Sequence, residues 1–504
     1  MKSFKRIIAV LLAVITLSAC LSACGNSADV NTPTGAASTA EVTVKPAETA
    51  DPDFVCDLPA DLNFKNHPDN TIRMMVDAFR YSADEMYADE DTGDIISSAV
   101  YRRNLIVEDA LGITLEITRA TSTSDTEVAK AISKAVSDGA SVYDLCTIPG
   151  YRATGYLKGN FHNLIGVENL NLKKHYWTQG FNEIMSFKGK QFLASGAYSL
   201  AMIRGMYVTA FNKDLIDSFH LENPYELVAK NEWTFEKHAQ MIRDAYVDDG
   251  NNERDAADVY GFIGSSYSPS DPYWVSFNME FLTKSGDEYA IDVDEEKFVN
   301  VVSMVHGLLF ENSGAFCIST GSSTSDGTTT SVAIGNAFRD NKAATAVTEI
   351  SIIEQQVVKG GFEGKYGIVP VPKYNADQEK YLTHTSDRLT TMAIVSTVPA
   401  ENLPMIGAVM EKISAESYDK VFPEYYENAL SFRYLQDADS KKMLDTIYNG
   451  IKIEGAFLYA GNFSMLSGFR SLFTSGEVAA STIKANHTAW NAAVKQLNKV
   501  IEKY

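Results

Sequence analysis

The sequence predicts an α/β protein whose sheets are mainly parallel and flanked by helices. Residues 71–148 support this most directly, because they can be assigned in order to strand, helix, strand, helix and strand. Such βαβ units place their strands parallel in one sheet. The composition is that of an ordinary globular chain, with 45% hydrophobic and 22% charged residues. The 504 residues allow several domains, at roughly 150 residues for each.

The first strand is predicted at residues 71–77 (TIRMMVD). A helix follows, because apolar side chains recur at helical spacing from Ile96 to Leu111 and Gly112 can end it. Residues 113–117 (ITLEI) alternate between apolar and polar side chains, which is typical of a strand.

A second helix is predicted at residues 128–136, with Ser124 and Glu127 as a capping box before it and Gly139 after it. Residues 143–148 (YDLCTI) are then predicted as a buried strand. Further apolar stripes predict core helices at 235–245, with Thr234 as N-cap, at 298–309 and at 483–501. The Ser/Thr/Gly tract at 319–331 has no periodicity and predicts a mobile surface loop.

The N-terminus has the pattern of a lipoprotein signal. A basic start precedes an apolar run at residues 7–17, which is too short for a permanent membrane span of about 20 residues. The sequence Leu-Ser-Ala-Cys then occurs twice, ending at Cys20 and at Cys24, and each resembles a bacterial lipobox. A polar tail directly after Cys24 favours it as the lipidated residue, although Cys20 and an ordinary secretory signal stay open. We therefore predict a signal peptide at 1–23 and a lipidated, disordered tether at 24–60.

Charge and cysteine content argue against nucleic-acid binding, a disulfide-built fold and a zinc site. With 44 basic and 65 acidic residues the formal charge is −21, so the chain is not expected to bind nucleic acid through a basic face. Beyond the signal, Cys56, Cys146 and Cys317 are an odd number and far apart, which argues against a disulfide-built fold and against a zinc site.

Five short pieces occur in an order that resembles a known family. They are residues 210–215 (AFNKDL), 222–225 (ENPY), 233–235 (WTF), 258–262 (DVYGF) and 366–372 (YGIVPVP). Together they resemble the extracellular solute-binding lipoproteins of ABC importers, of the carbohydrate type, which have the two-lobed architecture of maltose-binding protein. The resemblance extends from about residue 70 to the C-terminus.

The resemblance implies a two-lobed, periplasmic-binding-protein-like fold, with a sheet in each lobe and a hinge between the lobes. One lobe is predicted to contain residues 67–198 with 368–415, and the other 200–366 with 416–504. The protein would be a monomer on the extracytoplasmic face of the membrane. It would deliver a carbohydrate, expected to be an oligosaccharide, to the membrane subunits of an ABC importer. The predicted mechanism is closure of the lobes around the solute.

Candidate ligand contacts follow from loop placement and from the resemblance. Tyr151 and Arg152 follow the strand at 143–148, and ligands of parallel sheets bind at such strand ends. An aromatic ring and a guanidinium can stack on and bind a polar ligand, although an ordinary surface loop stays equally open. The resemblance adds Tyr198 at the first crossover, Tyr273 and Trp274 as an aromatic platform in a loop, Asp387 and Arg388 before a strand at 390–395, and Arg470 in the C-terminal segment. For Tyr273 and Trp274 the alternative is core packing, and for Asp387 and Arg388 it is an exposed ion pair.

No catalytic residue, cofactor or metal is predicted. Patterns such as GxSxG, HExxH and the phosphate-binding GxxxxGK[ST] do not occur. The loop at 249–260 spaces four polar residues as in a calcium site, but Arg254 and Tyr260 replace the glycine and the bidentate glutamate. Two alternatives stay open, a surface-attached carbohydrate-active enzyme and a binding protein for a non-sugar ligand such as a peptide.

Overall fold

The computed structural model describes residues 56–78, 82–122, 124–152, 159–435, 437–459, 465–476 and 480–503. The predicted signal peptide, Cys24 and most of the predicted tether lie outside these residues. Within the described ranges, no helix has the length and apolar character needed to cross a membrane.

The described strands fall into two large sheets and two small ones. They are β1 (Thr71–Val76), β2 (Thr114–Arg119), β3 (Leu145–Pro149), β4 (Tyr207–Asn212), β5 (Tyr246–Val247), β6 (Val259–Ser265), β7 (Leu282–Ser285), β8 (Glu288–Ile291), β9 (Ala315–Ser319), β10 (Ala343–Glu349), β11 (Tyr366–Val369), β12 (Thr383–His384), β13 (Thr390–Ile394) and β14 (Ile451–Lys452).

The α-helices cover the sheets and fill the C-terminal part of the chain. They are α1 (Ser82–Met86), α2 (Ile95–Leu111), α3 (Glu127–Ser137), α4 (Gln179–Met185), α5 (Ala201–Arg204), α6 (Lys213–Ser218), α7 (Pro224–Ala229), α8 (Phe235–Met241), α9 (Pro272–Ser276), α10 (Glu295–His306), α11 (Thr330–Arg339), α12 (Ile350–Ile352), α13 (Leu403–Glu416), α14 (Ala438–Asn449), α15 (Gly455–Leu458), α16 (Met465–Ser475) and α17 (Ala480–Lys503). Wider π-type turns follow at Gly307–Glu311, Ile353–Val358, Ser417–Val421 and Glu424–Tyr434.

The first sheet has four strands in the order β13-β3-β1-β2. Strand β1 runs parallel to both β2 and β3, and β13 lies antiparallel at the edge, with Thr390 opposite Pro149. Helix α3 packs against β3, and α2 packs against β2 and α13. The βαβ prediction for residues 71–148 is therefore confirmed.

The second sheet has six strands, with β11-β4-β10-β6-β5 in order and β9 beside β6. Strand β6 is parallel to β9 and β10, whereas β4 runs against both β10 and β11. Helices α11 and α14 pack against β10 and β11. The pairing of β11 corrects one detail of the prediction: residues 368–369, which we assigned to the first lobe, belong to the second sheet, and the chain returns to the first sheet only with β13.

Local side-chain chemistry explains several helix ends, but not the predicted start of α3. Asp94 accepts hydrogen bonds from the first turn of α2, and Gly112 ends that helix at φ 63°, a left-handed conformation that glycine adopts easily. Thr234 caps α8 as predicted, accepting from the Lys237 N–H. The predicted capping box at α3 is wrong, because Glu127 instead accepts hydrogen bonds from the backbone of the preceding loop at 121–122.

The predicted loop at 319–331 is shorter than expected. Strand β9 ends at Ser319 and α11 begins at Thr330, so the last two residues of the tract are helical and buried. Hydrogen bonds such as Thr330 N–H to Ser322 O, at 3.0 Å, fold the segment between them onto itself. Hydroxyl groups also bond within the segment, as those of Ser319 and Thr330 donate to backbone oxygen atoms of Ser323 and Gly321.

The chain passes between the two sheets where strands β4 and β13 begin. Met206 and Thr385 form an isolated β-bridge there, and the Ser386 N–H donates to Gly205 O at 2.9 Å. A further passage follows α13, which packs on α2, whereas α14 packs on β11. The starts of β4 and β13 are thus held side by side, which determines where the residues of the candidate site lie.

Candidate functional site

Four of the predicted residues lie together at one edge of the first sheet. The Tyr151 N–H donates to Asp387 O at 2.9 Å, and the Gly150 N–H donates to Leu389 O at 2.8 Å. These bonds place the loop after β3 directly beside the segment that leads into β13. Tyr151, Arg152, Asp387 and Arg388 are therefore neighbours, although only Tyr151 and Arg152 follow from the strand-end argument.

Arg388 connects this edge to the second sheet. Its Nη1 lies 3.7 Å from Oε1 of Glu349, the last residue of β10. The same Oε1 accepts a hydrogen bond from the hydroxyl of Tyr207, the first residue of β4, at 3.0 Å. The strand ends of the two sheets thus come together at the buried carboxylate of Glu349.

Arg470 of α16 reaches the same region from the C-terminal part of the chain. Its Nε donates to Asp271 Oδ1 at 2.9 Å, and its Nη2 to the other oxygen of that carboxylate. Its guanidinium lies 4.4 Å from the centre of the Tyr267 ring, which follows β6. Burial disfavours the charged form of Arg470, but Asp271, Tyr267 and Asp387 together outweigh this effect and raise the pKa of the guanidinium.

Asp387 is a carboxylate whose pKa is affected by the charged groups described above. Burial raises its pKa, while the guanidinium groups of Arg388 and Arg470 act in the opposite direction. The pKa is also affected by Asp271 and Glu349, so both sheets contribute charges near Asp387. Among the residues that the structure describes, none forms a hydrogen bond or an ion pair with the Asp387 side chain.

Tyr151 and Arg152 share one carboxylate partner on the first-sheet side. The Tyr151 hydroxyl donates to Asp125 Oδ2, and Arg152 Nε donates to the same oxygen at 2.9 Å. The Arg152 guanidinium lies 5.1 Å from the Tyr151 ring centre. Burial, followed by the Asp125 carboxylate, raises the pKa of Tyr151, so its hydroxyl stays protonated at neutral pH.

A neutral histidine lies under the same cluster. The His384 ring stacks on Tyr207 with centroids 5.5 Å apart. Burial, with a smaller effect from Arg470, lowers the pKa of His384 to about 3. His384 therefore adds an uncharged aromatic surface beside the charged groups.

Tyr198 is not available to a ligand. Its side chain is fully buried in the apolar cluster of the first sheet. Its hydroxyl donates to Ala194 O at 2.7 Å, and its ring packs edge-on against Trp177. The position at a crossover is as predicted, but the ring forms part of the core.

Tyr273 and Trp274 are likewise buried. The loop prediction at these residues is wrong, because Pro272 starts the short helix α9, which contains both. Trp274 is 0% exposed, and its ring stacks on Phe473 at 4.5 Å and on Phe298 at 5.4 Å. The aromatic platform that we expected from the resemblance thus has no exposed ring face here, and the core alternative describes both residues.

Several neighbours of the cluster were missed by the sequence analysis. They are Asp125, Tyr207, Tyr267, Asp271, Glu349 and His384. Tyr267 and Glu349 follow or end buried strands, so the strand-end argument would have found them if it had been applied to β6 and β10. Asp271 and His384 carry no such signal, because their partners are distant in sequence.

Carboxylates come together at the loop at 249–260, but of the four regularly spaced residues only Asp249 takes part. Asp248, Asp249 and Asp258 place oxygen atoms within 4.8 Å of one another. However, Asp258 already accepts hydrogen bonds from the Tyr246 hydroxyl at 2.9 Å and from the Asp249 N–H at 3.0 Å. Arg254 covers the ring of Tyr260 beside it. These bonds explain the cluster without a metal, and we assign none.

Comparison with solved structures identifies the fold of the chain. The fold matches a cyclic α-maltosyl-1,6-maltose binding protein from Arthrobacter globiformis, with 11% identity over 85% of this chain and 100% of that chain and a TM-score of 0.57. It also matches the galacto-N-biose/lacto-N-biose I-binding protein of a Bifidobacterium longum ABC transporter, with 11% identity over 85% and 97% of the chains and a TM-score of 0.53. The GacH receptor of Streptomyces glaucescens gives 12% identity, 86% and 99% coverage and a TM-score of 0.51.

The chain therefore shares the α/β fold of these solved proteins, which confirms the predicted fold class. At these identities the comparison concerns the fold alone. No protein-family model and no curated protein sequence matches the chain.

Proposed function

We propose that this protein is the carbohydrate-binding component of an ABC importer and captures an oligosaccharide between its two lobes. The observation that carries the proposal is the cluster of Tyr151, Arg152, Asp387, Arg388 and Arg470 at the facing edges of the two sheets. Guanidinium and carboxylate groups form strong hydrogen bonds with hydroxyl groups. Tyr267 is partly exposed, and the part of its ring that Arg470 leaves uncovered offers a surface against which the C–H groups of a sugar can pack.

Capture by closure follows from the position of this cluster. Arg388 comes from the first-sheet side, whereas Glu349 and Arg470 come from the second-sheet side. A solute that contacts both sides binds the closed conformation more tightly and shifts the population towards it. The membrane subunits of the importer can then recognise the closed form as the loaded one.

The attachment to the membrane is a proposal from the sequence. Cys24 follows a lipobox-like sequence and precedes a polar segment that lacks large apolar side chains. A lipid on Cys24 would hold the folded body at the extracytoplasmic face, and the polar segment would serve as a flexible tether. We propose a monomer with lobes at 67–198 with 390–415 and 200–384 with 416–504, because residues 373–384 bond to residues of the second lobe such as Asn231 and Ser276.

Thermal unfolding with a panel of oligosaccharides and peptides tests the function. A ligand that binds the folded state raises the melting temperature by mass action, and calorimetry then gives its affinity. We expect a rise with at least one oligosaccharide and none with peptides. A rise with peptides alone would favour the non-sugar alternative, and glycan cleavage during incubation would favour the carbohydrate-active enzyme.

A further inference from the structure

The described cations of the candidate site are matched one to one by carboxylates. The pairs are Arg152 Nε with Asp125 Oδ2 at 2.9 Å, Arg388 Nη1 with Glu349 Oε1 at 3.7 Å, and Arg470 Nε with Asp271 Oδ1 at 2.9 Å. The guanidinium of Arg470 has the most partners, because its two nitrogens bind both oxygens of Asp271 and its flat face lies over the Tyr267 ring. Each guanidinium thus has a protein carboxylate as its counter-charge.

Asp387 is a fourth carboxylate for three guanidinium groups. Its backbone oxygen accepts the hydrogen bond from the Tyr151 N–H, and its carboxyl is close enough to Arg388, Asp271 and Glu349 for their charges to affect its pKa. Within the described part of the chain, no donor reaches its oxygen atoms, although the side chain is only partly exposed. A largely buried carboxylate without a donor is unfavourable, and a ligand that donates hydrogen bonds would remove this cost.

We propose that the site takes a saccharide without acidic groups and that Asp387 accepts hydrogen bonds from its hydroxyl or ammonium groups. This inference rests on the proposed function and specifies its ligand class. A carboxylate or sulfate on the sugar would need a free cation, but each described guanidinium of the site is already paired with a protein carboxylate. The acidic group would also be repelled by the negative charge of Asp387. The acidic chain as a whole, with a formal charge of −21, acts in the same direction on an approaching anion.

A glycan array tests the ligand class. It would contain neutral oligosaccharides, acidic oligosaccharides such as oligogalacturonides beside their neutral methyl esters, and cationic oligosaccharides of glucosamine. We expect the wild-type protein to retain neutral or cationic glycans and to bind any acidic glycan at least tenfold more weakly than its ester. Tighter binding of an acidic glycan than of its ester would overturn the inference but leave the proposed function intact. Retention of no glycan would overturn both.

The role of Asp387 is tested with the glycans that the wild-type protein retains. Asp387→Asn should weaken their binding at least tenfold and reduce the discrimination against acidic glycans, and Asp387→Ser should do the same. The control is Asp439→Asn, on the exposed start of α14. The melting temperature of unliganded Asp387→Asn should not fall, because the wild-type carboxylate has no donor to lose. Unchanged affinity in both Asp387 variants would refute the assignment.

Discussion

The guanidinium of Arg103 donates a hydrogen bond to the Ser417 hydroxyl oxygen at 3.0 Å, although the two residues are 314 positions apart in sequence. The same Nη1 also donates to the backbone oxygen of Glu85 at 2.9 Å. Arg103 lies on α2, beside the first sheet, and Ser417 directly follows α13. A fully buried side chain therefore joins α1, α2 and the segment through which the chain leaves the first sheet.

Replacement of Arg103 should destabilise the fold. In Arg103→Met, the buried oxygen atoms of Glu85 and Ser417 lose a charged donor, and we expect the free energy of unfolding to fall by ~2–3 kcal/mol. The matched control is Arg102→Met on the same helix, because Arg102 is largely exposed and, among the described residues, pairs only with Asp91. Its cost should stay below ~1 kcal/mol. Urea unfolding measures both, and equal stabilities of the two variants would contradict the structural role.

Replacement of Trp274 should affect folding and not ligand contact. Trp274→Ala opens a large cavity among Phe298, Phe469 and Phe473, and we expect a loss of ~3–5 kcal/mol in unfolding free energy. Phe310→Ala is the control, because Phe310 is 41% exposed, and it should change stability by less than ~1 kcal/mol. An unchanged melting temperature together with weaker sugar binding would show that Trp274 contacts the ligand and is not a core residue.

The pH dependence of stability should contain a contribution from Glu85. Burial, only partly offset by Arg204, raises the pKa of this carboxyl from 4.5 to about 8. Between these pH values the folded protein keeps a proton that the unfolded chain has released, so this group makes unfolding easier as pH rises from about 5 to about 8. Glu85→Gln removes the contribution.

The experiment compares urea unfolding of the wild type, Glu85→Gln and the exposed control Glu90→Gln at several pH values. The difference between variants is the informative quantity, because His238 and His384 act in the opposite direction. Burial lowers the pKa of each to about 3, so their contribution increases stability with pH between about 3 and 6.5. A stability difference between wild type and Glu85→Gln that does not change with pH would show that Glu85 titrates normally.

The membrane attachment is tested at the two lipobox-like cysteines. Cys24→Ser should move the protein from the membrane fraction to the soluble fraction, because a covalent lipid chain is then missing. Cys20→Ser is the control and should leave the protein with the membrane. Fractionation followed by a measurement of melting temperature checks both variants, and the released protein should melt as the wild type does. Release by Cys20→Ser alone would reassign the anchor.

The sequence predicted elements best where local chemistry determines them. Strand β1 and helix α2 were placed within a residue or two, because the apolar spacing and Gly112 are local signals. The capping box failed because Glu127 has a competing set of donors in the loop before it. Local patterns offer several partners for a polar side chain, and tertiary geometry selects among them.

The candidate site was predictable only in part. Tyr151 and Arg152 were found because they follow a recognisable buried strand. The core position of Trp274 could not be found, because its partner Phe473 lies almost two hundred residues further along the chain. The same applies to the bond between Arg470 and Asp271. Which polar residues share one site is therefore a property of the assembled fold.

The edge position of β13 also has a consequence for the order in which the chain folds. Thr390 pairs with Pro149, and the whole second sheet, from Tyr207 to Val369, lies between them in sequence. During synthesis β1, β2 and β3 emerge first. One side of β3 stays without its partner strand β13 until the whole second sheet has been synthesised. The second sheet is continuous in sequence and can form in the meantime. A nascent chain of this protein thus carries an open strand edge, which is a site for aggregation, until its late-arriving edge strand covers it.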